Sequence, residues 1–560
     1  MAADGSGGLY LAWWSDYAVF AQRITAAGEI APGWPEGAMF LATAGTPSSW
    51  TTVDPDGAGG AIVAWADKGI GNIVLQRITA GGALPAGWSP GGVTVSPTPI
   101  GYATMALAPD GAGGAIVAWA PFAPKDIYAQ RIAADGTRAA GWPAGGVVVC
   151  GDPAVQLSPT IAADGEGGAF IAWADGRNQP ATGNDIYVQR ITAAGTVAPG
   201  WPAGGLRICA AAGDQGPTGN LLEGVRLVAD GLGGAVVAWP DRRSDPNGDL
   251  YAQRVTGAGA VAPGWPADGA VVCDTPNEQQ LLPAGAMVPD GAGGVIVCWG
   301  DARQPVANGF DVYVQRLMAD GSPAPGWPED GLGLCTAAGN QTYPWAVTNG
   351  AGGAIVCWGD GRAGVGNGDI YAALVNADGT TPVLLALVSA EARAGLVLLH
   401  WYAADAVGLD AVVHRRTAGT EWAARARVGA DGTGHLRFED RQVVPGARYG
   451  YRLGITENGV ESFSGEVWVT VPAAAGFAIG AWNAADGSLR VSFSLPADGP
   501  ATLELFDPGG RRLAARSLDG FGEGSHQLAL SRETTPRAGV YLLRLRQGAL
   551  QASAKAIVLP

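Results

Sequence analysis

Apolar positions in the first part of this chain come in short runs separated by glycine-rich breaks, and the runs differ in period. Residues 157–209 show the pattern most fully. LSPTIAA predicts a short strand, and DGEGG a turn in which Asp164 bonds its own backbone while the glycines supply positive φ. AFIAWAD is apolar almost throughout, so it predicts a strand buried on both faces. After the loop GRNQPATGN, DIYVQRITA alternates between two faces and predicts a third strand. AAGTVAPGWPAGG turns the chain, and LRIC predicts a fourth.

The same pattern recurs. DGSGGLYLAW ends at Trp13, DGAGGAIVAW at Trp65 and again at Trp119, DGEGGAFIAW at Trp173, DGLGGAVVAW at Trp239, DGAGGVIVCW at Trp299 and NGAGGAIVCW at Trp358. The spacings of 52, 54, 54, 66, 60 and 59 residues make the unit one small sheet long. Four antiparallel strands of this length cannot bury both faces alone, so neighbours must stack. The expectation is therefore an all-β chain whose residues 1–380 form a seven-bladed β-propeller, with the seven repeat tryptophans as plugs between blades. Each buried indole contributes roughly 1.5–3 kcal/mol before entropy is subtracted.

The ends of the array depart from the pattern. Met1-Ala-Ala-Asp-Gly aligns with Ile161-Ala-Ala-Asp-Gly, so the first blade begins in mid-strand. The seventh has DIYAALVNADG but no GWP turn and no GGVVVC-like strand. Either PVLLALV (382–388) completes that blade, or the start is clipped, in which case an eighth blade has room.

Composition narrows the class. The 560 residues include 89 Gly and 38 Pro, yet 48% are apolar and 20 are Trp, which fits a turn-rich β protein rather than a disordered one. No apolar run approaches the length of a spanning helix, so no membrane span is expected. Residues 1–380 carry 33 acidic and 16 basic side chains and residues 381–560 carry 17 and 18. An array this acidic repels phosphate backbones, which excludes nucleic acid as a partner.

Cys150, Cys209, Cys273 and Cys335 end equivalent strands, while Cys298 and Cys357 replace the alanine before a repeat tryptophan. They read as small buried apolar residues, with a Cys273–Cys298 bridge as the less favoured alternative.

Three repeated constellations carry candidate chemistry. The loop after the second strand pairs an Asp-x-Arg with a later Asn and Asp: Asp175 and Arg177 with Asp185, Asp241 and Arg243 with Asp249, Asp301 and Arg303 with Asp311, Asp360 and Arg362 with Asp369. Clustered oxygen ligands are what Ca²⁺ requires, so these eight aspartates are the metal candidates. The arginine argues instead for an ion pair that pins each loop, which is the favoured reading. The Gln-Arg pairs at 22–23, 76–77, 130–131, 189–190, 253–254 and 315–316 occupy one strand position and are expected to bond between neighbouring blades. Trp34, Trp88, Trp142, Trp201, Trp265 and Trp327 stand in the turns. They either form an exposed aromatic rim or tuck under and close the lower edge of each blade, and the second is favoured.

Catalytic signals are sparse. All four His lie beyond residue 380, the six Glu of the array show no paired spacing, and GxSxG, HExxH, CxxC and phosphate-loop patterns are missing from the sequence. No catalytic residue and no cofactor other than Ca²⁺ is assigned.

The remainder changes character. LVLLHW (396–401), VVHRRT (412–417), FEDRQVVPGARYGYRLGITENG (438–459) and EVWVTV (466–471) resemble a fibronectin type III domain over residues 381–472, which implies Trp401 facing Tyr451 across a two-sheet sandwich. LRVSFSLP (489–496), ATLELFDPGGRRL (501–513), GEGSHQLAL (522–530) and AGVYLLRLRQG (538–548) resemble the C-terminal sorting domain of bacterial type IX secretion cargo over residues 473–560. They are also similar to a flagellar-hook-cap immunoglobulin-like module. WNAADG (482–487) stands where such domains usually open with Asn-Pro. The array itself resembles DGxGGxxxAWxDxR…DIYxQRI propellers of secreted bacterial proteins. These resemblances imply two β-sandwich, immunoglobulin-like domains after the propeller, export through the secretion machinery, and an extracellular or outer-surface location, although no signal peptide is visible.

The expected function is non-catalytic binding or adhesion by a monomer, with a glycan or protein ligand. The rival is a sialidase- or glycosidase-like enzyme with its site at the central mouth of the propeller.

Overall fold

A computed structural model describes the chain except residues 16–17, 44–50, 68, 97–98, 100–103, 122–125, 218–223, 278, 282–285, 304–308, 363–367, 382–384, 394, 404–408, 432–433, 458–459, 464, 473–475, 484–488, 531–538 and 559–560. The described residues are all-β. They form many small antiparallel sheets, and the one helix among them is the single turn Gln179–Thr182. No sheet closes on itself among the described residues. The chain divides into two compact units, Met1–Pro382 and Val383–Pro560.

The first unit contains one sheet for each sequence repeat. In the fourth, Gln156–Ala163, Ala169–Asp175, Asp185–Ile191 and Leu206–Cys209 follow one another as an up-and-down meander. Its second strand is buried along its whole length, as its unbroken apolar run requires. The Asp164 carboxylate accepts from the backbone N–H groups of Glu166 and Gly168, both at 2.8 Å, and so builds the hairpin turn that the repeated DGxGG encodes. Gly168 cannot be replaced there, because a Cβ would meet the Ile191 carbonyl and the Asp164 carboxylate.

Burial within each sheet comes from the neighbouring sheets. Trp65 packs in one core with Tyr10, Val19 and Leu41 of the first sheet, and Trp119 packs with Ile62, Ile73 and Leu75 of the second. Trp65 and Trp119 therefore face the preceding sheet. The first strands of successive sheets also touch, from Ala2–Ala3 through to Gln341–Thr348.

The two ends of the array correct the expectation of seven equivalent plugs. Trp65, Trp119, Trp173, Trp239 and Trp299 are at most 1% exposed and Trp358 is 4%, but Trp13 is 38% exposed. Among the described residues it belongs to none of the buried apolar clusters. The seventh sheet has three strands, Gln341–Thr348, Ala354–Asp360 and Asp369–Val375. PVLLALV does not complete it: Leu385–Arg393 belongs to the second unit and pairs with Leu396–Ala403.

The second unit holds two separate apolar cores. In one, Trp401 and Tyr451 come from different sheets and are both fully buried. The Tyr451 hydroxyl donates to Asp440 at 2.9 Å, and Arg415 pairs with the same carboxylate. The other core is built from Leu489–Leu495, Ala501–Phe506 and Gly539–Gln547, with Val491, Leu503 and Leu543 at its centre. No helix among the described residues is long and apolar enough to cross a membrane.

Candidate functional site

The loops that leave the second strands are fixed by one network, repeated in the fourth to seventh sheets. In the fourth, the Trp173 indole N–H donates to Asp175 Oδ2 at 2.7 Å, while Arg177 donates from Nε to Oδ1 at 2.9 Å and from Nη2 to Oδ2 at 2.6 Å. The Arg177 guanidinium lies 4.0 Å from the centre of the Tyr187 ring. Its Nη2 also reaches Gly204 O at 3.0 Å, just before the fourth strand, and Cys150 Sγ at 3.0 Å in the preceding sheet. Trp239, Asp241, Arg243, Tyr251 and Cys209 repeat the arrangement, as do Trp299, Asp301, Arg303, Tyr313 and Cys273. In the seventh sheet Trp358, Asp360, Arg362, Tyr371 and Cys335 do the same.

Charge balance follows from this geometry. Asp175, Asp241, Asp301 and Asp360 are fully buried, a placement an ionised carboxylate tolerates only with a cation beside it. Burial opposes the ionised form of Asp360, but bonds from Arg362 and Trp358 outweigh it and hold the carboxyl down at about 2. Burial also pushes the Cys209 and Cys273 thiols up to about 12 and Cys150 to about 11. All six cysteines are free, so the alternative of a Cys273–Cys298 bridge is overturned.

Of the eight calcium candidates, the first aspartate of each pair is thus committed to arginine. The second lies directly opposite it across the strands: Asp185 to Asp175, Asp249 to Asp241, Asp311 to Asp301, Asp369 to Asp360. Asp185 accepts from Asn178 at 2.8 Å, and Asp369 is exposed. Asp249 and Asp311 are buried, and neither Asp249 Oδ2 nor either Asp311 oxygen has a hydrogen-bond partner. Burial, with neighbouring aspartates adding to it, raises both carboxyls to about 6. No three His, Cys, Asp or Glu side chains among the described residues are grouped so as to hold a metal ion. Asn308 and Asn367 of the same loops lie outside the described residues.

The other two constellations are structural ties, but of the Gln-Arg pairs only the arginine joins sheets: the glutamine donates to the turn of its own sheet, as Gln189 does to Pro202 O at 2.8 Å and Gln130 to Pro143 O at 2.7 Å. Arg77 pairs with Asp56 of its own sheet at 2.8 Å and donates to Ala134 O of the next at 3.1 Å. Arg131, Arg190, Arg254 and Arg316 repeat both contacts. The turn tryptophans are buried, and each indole N–H donates to a backbone carbonyl of the following sheet: Trp34 to Ala80, Trp88 to Ala134, Trp142 to Ala193, Trp201 to Gly257, Trp265 to Ala319 and Trp327 to Ala377. They tuck under; they do not form a rim.

Two charged residues break the repeat and escaped the sequence reading. Asp54 lies on Thr51–Pro55, in a column where the other sheets carry Ala108, Ala162, Val228 and Val288. Burial raises its carboxyl to about 7, with the Met1 ammonium pulling the other way. Arg226 begins Arg226–Ala229, donates to Val225 O at 3.1 Å and Leu281 O at 3.3 Å, and is lowered by burial to about 10. The signal for both was a charge in a column that is otherwise uncharged, the equivalents of Arg226 being Thr52, Ala106, Thr160, Ala286 and Trp345. The chain matches no protein-family model, and no curated protein matches it in sequence.

Proposed function

We propose that residues 1–380 form a seven-bladed β-propeller that presents a non-catalytic binding face for a glycan or protein ligand. The two domains that follow are read as a fibronectin-like spacer over residues 381–472 and a secretion sorting domain over residues 473–560, so the protein acts outside the cell or on its surface. The observation that carries the binding reading is the commitment of repeated polar chemistry to structure. In four sheets the Trp-Asp-Arg-Tyr-Cys network anchors a loop whose length and sequence then vary, which is the arrangement of a rigid frame displaying different contacts. A radial arrangement is favoured by the chain of contacts between first strands. It is also favoured by the Met1 ammonium, which lies within electrostatic reach of Asp54 in the second sheet and Cys357 in the seventh.

The rival reading, a glycoside-active enzyme with its site at the central mouth, draws on Asp54, whose raised pKa is of the kind a general acid needs. The neighbouring first strands Ala2–Ala3 and Thr104–Pro109 carry no Asp or Glu to act as its second carboxylate, which favours the binding reading. A glycan array run beside a panel of chromogenic sugars separates the two. Saturable binding without turnover is expected, and turnover that is lost in Asp54→Asn would replace the binding reading with the enzymatic one.

A further inference from the structure

The outer edge of the seventh sheet differs from its counterparts in one respect with consequences for binding. In the fourth, fifth and sixth sheets the third strand is paired on its outer side by a four-residue strand in one register: Ile186 opposite Cys209, Leu250 opposite Cys273, Val312 opposite Cys335. The corresponding strand Asp369–Val375 has Ala354–Asp360 as its strand neighbour and none on the other side among the described residues. Ile370 is 80% exposed where Ile186 is 0%, and Ala372 is exposed where Val188 is buried. An edge with open backbone positions is a template for one more strand.

The sister sheets specify the chemistry of that strand. In the second to sixth sheets the fourth strand is entered through a glycine with positive φ, Gly92, Gly146, Gly205, Gly269 and Gly331, packed against the repeat tryptophan of its own sheet. A Cβ on Gly205 would sit 2.5 Å from the Trp173 ring, and one on Gly269 would sit 2.8 Å from Trp239. Trp358 occupies the same place in the seventh sheet, within an otherwise intact Trp-Asp-Arg-Tyr network. Of the four residues after the glycine only the second is exposed: in Leu206–Cys209, Arg207 faces out while Ile208 and Cys209 are buried, and Ala270–Cys273 and Leu332–Cys335 do the same.

We propose that the outer edge of Asp369–Val375 is a strand-docking site for an extended segment of another polypeptide, in which paired glycines precede four residues of which only the second faces solvent. The segment adds antiparallel to Ile370–Ala372, with its second glycine over Trp358. This rests on strand pairing alone and stands whether or not the seven sheets close radially.

The probe is a synthetic peptide with the sequence of residues 199–209 and serine in place of the cysteine, PGWPAGGLRIS, added to the full chain. Hydrogen–deuterium exchange at the Ile370 and Ala372 amides is expected to slow by about ten-fold at saturation, as it does when open edge amides become paired. A control peptide carrying Gly205→Val, PGWPAGVLRIS, is expected to give no protection. Three outcomes would overturn the proposal: no protection by millimolar PGWPAGGLRIS, equal protection by the valine peptide, or concentration-dependent self-association that protects these amides without peptide, since the edge would then be filled by a second copy.

Discussion

Arg243 donates from Nη2 to the Sγ of Cys209 at 3.1 Å, across the seam between the fourth and fifth sheets. The same guanidinium neutralises Asp241, which is fully buried. One side chain thus joins three things: the loop, the end of its own sheet through Asp268 O, and the preceding sheet. Removing it by Arg243→Ala is expected to cost about 3 kcal/mol, because the charge on Asp241 is left without its cation. The double variant Asp241→Asn, Arg243→Met is expected to recover more than half of that. Urea denaturation of the three proteins measures both values.

The cysteines that touch these arginines are buried and their thiols are held far above neutrality. Cys150, Cys209 and Cys273 are therefore expected to resist iodoacetamide at pH 8 in the native protein and to react promptly in denaturant. Mass spectrometry of tryptic peptides reads the labelling of each site.

Asp311 is buried with neither carboxylate oxygen bonded, and burial together with Asp301 raises it to about 6, above the unfolded value. The folded state therefore holds this proton more tightly than the unfolded chain. Its contribution is fully present below about pH 4 and is lost as pH rises through about 6. Asp311→Asn removes the charge, so it is expected to stabilise the protein by about 1–3 kcal/mol at pH 7.5 and to change little at pH 4. Melting temperatures of both proteins across that range check the sign.

The repeat tryptophans are alike in sequence and unlike in burial. Trp173→Ala empties a packed seam and is expected to cost about 3–5 kcal/mol, whereas Trp13→Ala, at a half-exposed position, is expected to cost about 1 kcal/mol. Equal losses at the two sites would mean that Trp13 is sealed in solution.

Much of this was legible in the sequence for a physical reason. The strand periods and the DGxGG turns are local, so each sheet could be read from its own residues, and the succession of turn and apolar run recurs seven times. What depended on a neighbouring sheet was harder. The thiol contacts were missed although their signal was present: a cysteine ends the fourth strand only in sheets followed by an Asp-x-Arg, as Cys150 precedes Arg177 and Cys335 precedes Arg362. The second sheet, preceded by Thr43 instead, has no such arginine, and its Trp65 indole N–H is left without a partner. The exposure of Trp13 could not be read from its motif, because the motif is complete and burial depends on what packs over the ring. The Asp-x-Arg spacing announced the ion pairs that pin the loops, Asp241 with Arg243 and Asp301 with Arg303, but not that Asp311, opposite Asp301, is buried with neither carboxylate oxygen bonded.

The central claim is that the seven sheets lie radially about a common axis. The most direct test is the distance between paired spin labels at Ser6→Cys in the first sheet and Ala351→Cys in the seventh, two equivalent hairpin turns. A radial arrangement predicts a separation below about 30 Å, whereas a linear stack of seven sheets at about 10 Å spacing would place the labels about 60 Å apart and contradict it.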